Sequence, residues 1–138
     1  MFALMFCQLH KGCRMHLVLL FGLLLLLSHA IAQAAAPDAT TQAEINQLLT
    51  AMGNSGCAFN RNGSWYDSKA AQAHLQKKNA YLQKKGMIGN TQDFIIKAAS
   101  SSSMSGKAYL VRCPNSKAIS SASWFSMELL RFRKTESK

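Results

Sequence analysis

Beyond residue 32 the chain has one histidine, His74, two cysteines, Cys57 and Cys113, and only six acidic residues. One imidazole cannot build a histidine metal cluster, and two cysteines that oxidise together leave no thiolate for a metal. Catalytic signatures are missing as well. There is no Gly-x-Ser-x-Gly and no Ser-x-x-Lys, and Ser105-Gly106-Lys107 lacks both the earlier glycine and the following Ser or Thr of a phosphate-binding loop. Paired carboxylates for glycoside hydrolysis would have to come from the same six acids, of which Glu44 and Asp67 already have local explanations as helix-capping residues. No cofactor is expected. The absences favour a non-enzymatic protein, with a hydrolase centred on His74 as a second alternative. The apolar run Leu17 to Leu27 falls short of the roughly 20 residues a membrane-spanning helix needs, so no stable span is expected after processing.

What is present begins with an export pattern. Lys11 and Arg14 precede that apolar run, and Ala30, Ala32 and Ala34 supply small side chains after it, the order of a secretory signal peptide. The spacing predicts a signal over residues 1–32, cut after Ala32 or Ala34, and a periplasmic protein. Cys7 and Cys13 precede the apolar run, so they leave with the signal and a lipid-modified cysteine is excluded. Cys57 and Cys113 remain, in a compartment that permits oxidation. A bridge between them closes a loop of about 55 residues, worth about 4 kcal/mol in the chain-entropy model.

Without Lys11 and Arg14, 14 basic residues stand against six acidic ones, a net charge of +8. Such a surface attracts acidic partners. Outside the cytoplasm these are acidic envelope components or proteins, and nucleic acid is not expected.

Residues 33–40 read as a flexible leader, followed by one domain over 41–134 and a tail over 135–138. Thr41-Gln-Ala-Glu44 is a capping-box pattern opening a helix whose inner face is Ile45, Leu48, Leu49 and Met52. Asn62-Gly63 predicts a hairpin with strands near 57–61 and 64–66, because both central positions of a type I′ turn need positive φ. Asp67 caps a second helix, Ser68 to Lys85, closed by Gly86. A third helix begins behind Asn90 or Thr91 and carries Phe94, Ile95, Ala98 and Ala99. The serine-rich stretch Ser100 to Gly106 should leave the helix, since serines bond locally to the backbone. A strand follows at Tyr109 to Cys113, then a turn over Pro114 to Ser120. The last helix, near Ser121 to Arg133, places Trp124, Phe125, Leu129 and Phe132 inward. The fold class is therefore a small single α+β domain in the order helix, hairpin, two helices, strand, helix. Three short antiparallel strands pack on the helices, and one disulfide staples the last strand to the start of the hairpin.

The combination Gly56-Cys-x-Phe-x-Arg-Asn-Gly-x-Trp-Tyr66, Ala73-His-Leu75, Phe94-Ile95, Ala99-Ser100 and Ser102-Ser-x-Ser-Gly-Lys107-x-Tyr109-x-Val111 resembles the YfeK-like family of small exported bacterial proteins, a domain of unknown function. The resemblance implies a periplasmic protein and brings no activity or catalytic residue. It marks Arg61, Asn62, Gly63, His74, Ser103, Ser105, Gly106 and Tyr109 as a candidate common surface. Local turn geometry explains Asn62 and Gly63. Arg61, His74, Ser103, Ser105, Lys107 and Tyr109 are therefore the binding candidates, provided that the hairpin tip and serine loop share an edge. Separately, Ser105-Gly106-Lys107-Ala108-Tyr109 is similar to the Ser-Gly-x-x-Tyr loop of periplasmic lysozyme inhibitors. That similarity implies an alternative, an inhibitor of a cell-wall hydrolase acting through this loop.

Overall fold

A computed structural model describes residues 36–137. The expected signal peptide and Cys7 and Cys13 lie outside the described residues.

Helix α1 (Ala39–Asn54) starts behind Asp38, whose carboxylate accepts from the Thr41 amide at 2.7 Å. The cap thus sits three residues before Thr41, and residues 39 and 40, expected in the leader, belong to the helix. The capping box does not close because its glutamate is used elsewhere. Glu44 accepts from the Thr91 hydroxyl and, at 2.6 and 3.0 Å, from Arg133. The Arg133 hydrogen bond holds its carboxyl below the ordinary range against the opposing effect of burial. Ile45, Leu48, Leu49 and Met52 are buried, as their spacing predicts.

Strands β1 (Ala58–Arg61) and β2 (Ser64–Tyr66) are joined by Asn62 and Gly63 at φ of 54° and 92°, the left-handed pair the Asn-Gly turn requires. Helix α2 (Ser68–Lys84) is capped by Asp67, which accepts from the Ala70 amide at 2.8 Å. A short turn, α3 (Thr91–Asp93), is capped by Asn90 and runs straight into a π-helical segment, Phe94–Ala99. The expected third helix is present, but most of it is wound more widely than an α-helix. It ends where the Ser100 hydroxyl donates back to the Ile95 carbonyl at 2.6 Å, an instance of the local serine bonding that competes with a regular ladder.

Strand β3 (Leu110–Arg112) pairs with β1, and β4 (Ile119–Ser120) pairs with β3, giving an antiparallel sheet in the order β2-β1-β3-β4. The fourth strand corrects the three-strand expectation. Residues 119 and 120, assigned to a turn, pair with Val111 and Leu110. Ser120 then caps α4 (Ser121–Glu136), accepting from the Ser123 amide at 3.1 Å, so the helix takes in the first two residues of the expected tail.

The sheet buries Phe59 and Val111 against the helices. Phe125 and Trp124 of α4 form the centre of the core, Trp124 edge-on to Phe59 at 5.7 Å and Phe125 edge-on to Phe94 at 5.8 Å. Ala58 faces Arg112 across β1 and β3, which brings the next pair outward, Cys57 and Cys113, together as a disulfide with Cα atoms 4.0 Å apart. Among the described residues no helix is long and apolar enough to cross a membrane.

Candidate binding site

In a strand, residues two apart share a face. Arg61 therefore emerges on the side of Phe59, toward α2, and the register that sets Phe59 opposite Tyr66 brings Tyr66 to the same side. The Arg61 Nη1 donates to His74 Nδ1 at 2.6 Å, and its Nη2 to the Tyr66 hydroxyl at 3.5 Å. Its guanidinium carbon lies 5.0 Å from the Tyr66 ring centroid. The hydrogen bond to Tyr66 comes first among the influences of Arg61 that draw the phenol pKa down.

A guanidinium only donates, so His74 Nδ1 is an acceptor and the imidazole is neutral with its proton on Nε2. That Nε2 is buried without a partner. Burial, followed by the charges of Arg61, Lys78 and Lys77, pushes the His74 pKa below its ordinary value. The unfolded chain titrates this group near ~6.5, so below that pH the unfolded state holds more protons than the folded one. The stability contributed by neutral His74 is present above the unfolded pKa and is lost as pH falls toward the folded pKa. In thermal unfolding between neutral pH and the onset of carboxylate protonation, His74→Asn, which keeps an acceptor for Arg61, should show a flatter acid-side decline than wild type. Parallel declines would rule out His74 as the titrating group.

Beneath Arg61 lies a cavity of about 160 Å³ between the hairpin, α2 and the end of the π-helix. Met52, Phe59, Ala71, Leu75 and Ala99 give it apolar walls, and Arg61, His74, Tyr66 and Tyr109 bring polar groups to it. Tyr109 is buried, which raises its pKa, and the Lys78 ammonium lies 5.2 Å from its ring centroid. Lys78 donates to the Ser101 carbonyl at 2.6 Å, and burial lowers its pKa.

The serine-rich stretch folds back on itself. Ser101 bridges to Ala108, Ser102 and Lys107 share a backbone hydrogen bond of 3.0 Å, and Gly106 takes φ of 69°. The Ser105 hydroxyl donates to Asn62 Oδ1 at 2.7 Å, so the hairpin tip and the serine loop meet. Of the sequence candidates, Arg61, His74 and Tyr109 line the cavity. Ser105 joins the two loops beside it, while Ser103 and Lys107 are exposed on the loop and are not part of the lining. Lys78 was missing from the candidates, although it stands one helical turn beyond His74.

Every acidic side chain among the described residues has another role. Asp38 and Asp67 cap helices, Asp93 pairs with Lys97, Glu44 with Arg133 and Glu128 with Arg131, and Glu136 accepts from Gln47. Among the described residues, therefore, Arg61, Lys78 and Lys107 have no carboxylate partner, and no three metal-binding side chains gather.

A family model of proteins of unknown function, DUF5329, matches residues 39–133, from the first turn of α1 to near the end of α4. The chain belongs to the DUF5329 family. The match covers every residue of the cavity wall and of the serine loop. No curated protein and no solved structure shows significant similarity to the chain. In this DUF5329 domain the site combines a guanidinium whose geometry is set by His74 and Tyr66 with an apolar recess, and among the described residues no carboxylate is paired with that guanidinium.

Proposed function

We propose that this is a non-enzymatic binding domain that acts in the bacterial envelope, after export, on an acidic envelope component or protein. The proposal includes a relationship to the YfeK-like proteins and a periplasmic location, both supported by the sequence patterns described above. The observation that carries it is the Arg61 guanidinium, which lines the cavity, is bonded to a neutral histidine and is free of any carboxylate among the described residues. The Ser105 to Asn62 hydrogen bond adds the serine loop to the same edge and places the exposed Lys107 near it. An excess of eight positive charges beyond residue 32 supplies long-range attraction for such a partner.

The competing readings draw less support. A hydrolase on His74 would want a carboxylate to orient the imidazole, whereas its Nδ1 accepts from Arg61. An inhibitor finger would want Ser105 and Tyr109 projecting together, whereas Ser105 is bonded to Asn62 and Tyr109 is buried.

Capture from a bacterial envelope extract tests the binding reading. Wild type should retain an acidic component that Arg61→Gln loses and that rising salt releases. Equal recovery by both proteins would remove Arg61 from any binding role. Recovery of a muramidase that disappears only in Ser105→Ala plus Tyr109→Ala would favour inhibition.

A further inference from the structure

We propose that the cavity beneath Arg61 takes a small amphipathic carboxylate, its acid group seated on the guanidinium and a single ring or short acyl chain in the apolar space. This rests on reading the Arg61 edge as an anion-binding surface, and it names the ligand class for the recess itself.

The recess sets the size of the apolar part. Its volume of about 160 Å³ is close to the roughly 150 Å³ of an apolar cavity that accepts benzene. The side chains of Met52, Phe59, Ala71, Leu75 and Ala99 offer a ligand no hydrogen bond of ordinary strength, so an inorganic anion alone would leave these walls uncovered. The Arg61 side sets the head group. A guanidinium carries five N–H donors in a planar fork. One is engaged by His74 and another reaches Tyr66 at the long distance of 3.5 Å, which leaves donors for the two oxygens of a carboxylate.

The charge of the ligand follows from the same neighbours. His74 is neutral, and the Lys78 ammonium is turned onto the Ser101 carbonyl. A single cation therefore faces the ligand, which suits a monoanion better than a phosphate dianion.

Titration of the full chain with benzoate, benzyl alcohol and acetate, followed by ligand-observed NMR, tests this. Benzoate should bind at least about tenfold more tightly than either of the others, the effect of one charge-assisted contact or one buried ring. Arg61→Gln should erase the advantage of benzoate over benzyl alcohol. Arg61→Lys keeps the charge and loses the fork, and should fall between the two. Ala70→Leu, at an exposed position on the rim, should weaken benzoate and benzyl alcohol alike. Benzoate binding no tighter than acetate, or unchanged in both Arg61 variants, would overturn the proposal. Should that happen while envelope capture still depends on Arg61, only the cavity ligand fails. If capture is equally indifferent to Arg61, the surface reading fails with it.

Discussion

Replacing Cys57 and Cys113 together by alanine should lower the unfolding free energy by about 4 kcal/mol, the chain-entropy value for a bridge between residues 56 apart in sequence. The effect is large because a domain of this size has a total stability of about 5–15 kcal/mol. The bridge joins the residue before β1 to the residue after β3, so it fixes the pairing of the two central strands. In its absence the unfolded chain regains the freedom of that loop, while Phe59 and Val111 still hold the strands to the helices. The double variant should therefore fold, with a lower urea midpoint and a steeper dependence on denaturant near neutral pH, because its unfolded chain exposes more surface. Wild type treated with a thiol reductant should move to the same midpoint. A loss below about 1 kcal/mol would mean that the denatured chain is already compact around this pair.

Phe125→Ala should cost a similar amount, about 3–5 kcal/mol, through a different mechanism. Phe125 is fully buried and meets Phe94 at 5.8 Å and Trp124 at 4.9 Å, both edge-on. Truncation removes the ring from water-excluded surroundings and leaves a void between α4 and the π-helix that neighbouring aromatic rings fill poorly. Because the π-helix ends at Ala99, on the cavity wall, the damage should reach the site as well as the core. Chemical unfolding against Phe132→Ala, a partly buried residue on the same helix, provides the comparison. Similar losses at both positions would show that the aromatic cluster is not the centre of the core. Combined with removal of the disulfide, Phe125→Ala should leave little folded protein at 25 °C, since the two losses together approach the whole stability of a domain of this size.

The parts of the fold legible in the sequence are those whose cause is local. Asn62-Gly63 announces its turn because few other pairs tolerate two positive φ angles in succession. Asp67 and Asn90 announce helix starts because a short acceptor there satisfies free amides. Ile45, Leu48, Leu49 and Met52 announce a buried face by spacing alone. Features settled by distant partners were hidden. Thr41 and Glu44 look like a capping box, yet Glu44 belongs to an ion pair 89 residues away, and the cap passes to Asp38. The two residues of β4 are too few to show an alternation, and only β3 makes them a strand. The wide winding of Phe94–Ala99 likewise leaves no periodic signature that separates it from an α-helix over six residues. At the candidate site, Arg61 and His74 stood out as residues that local structure did not explain. Their contact, and the recess beneath it, depend on how α2 settles against the hairpin, which no spacing in the chain encodes.

The placement of the disulfide has a consequence for proteolysis. Arg61, His74 and Tyr109, and with them Ser105, all lie between Cys57 and Cys113, so these three cavity residues and the exposed serine loop that carries Ser105 are enclosed in one covalent ring. A protease that nicks the ring at the loop tip opens it without releasing either fragment. The cut ends remain tethered beside β1 and β3, and the Arg61–His74 pair stays on a single uncut stretch. Cleavage there should be visible only after reduction, and the nicked protein should keep its anion-binding residues in one molecule.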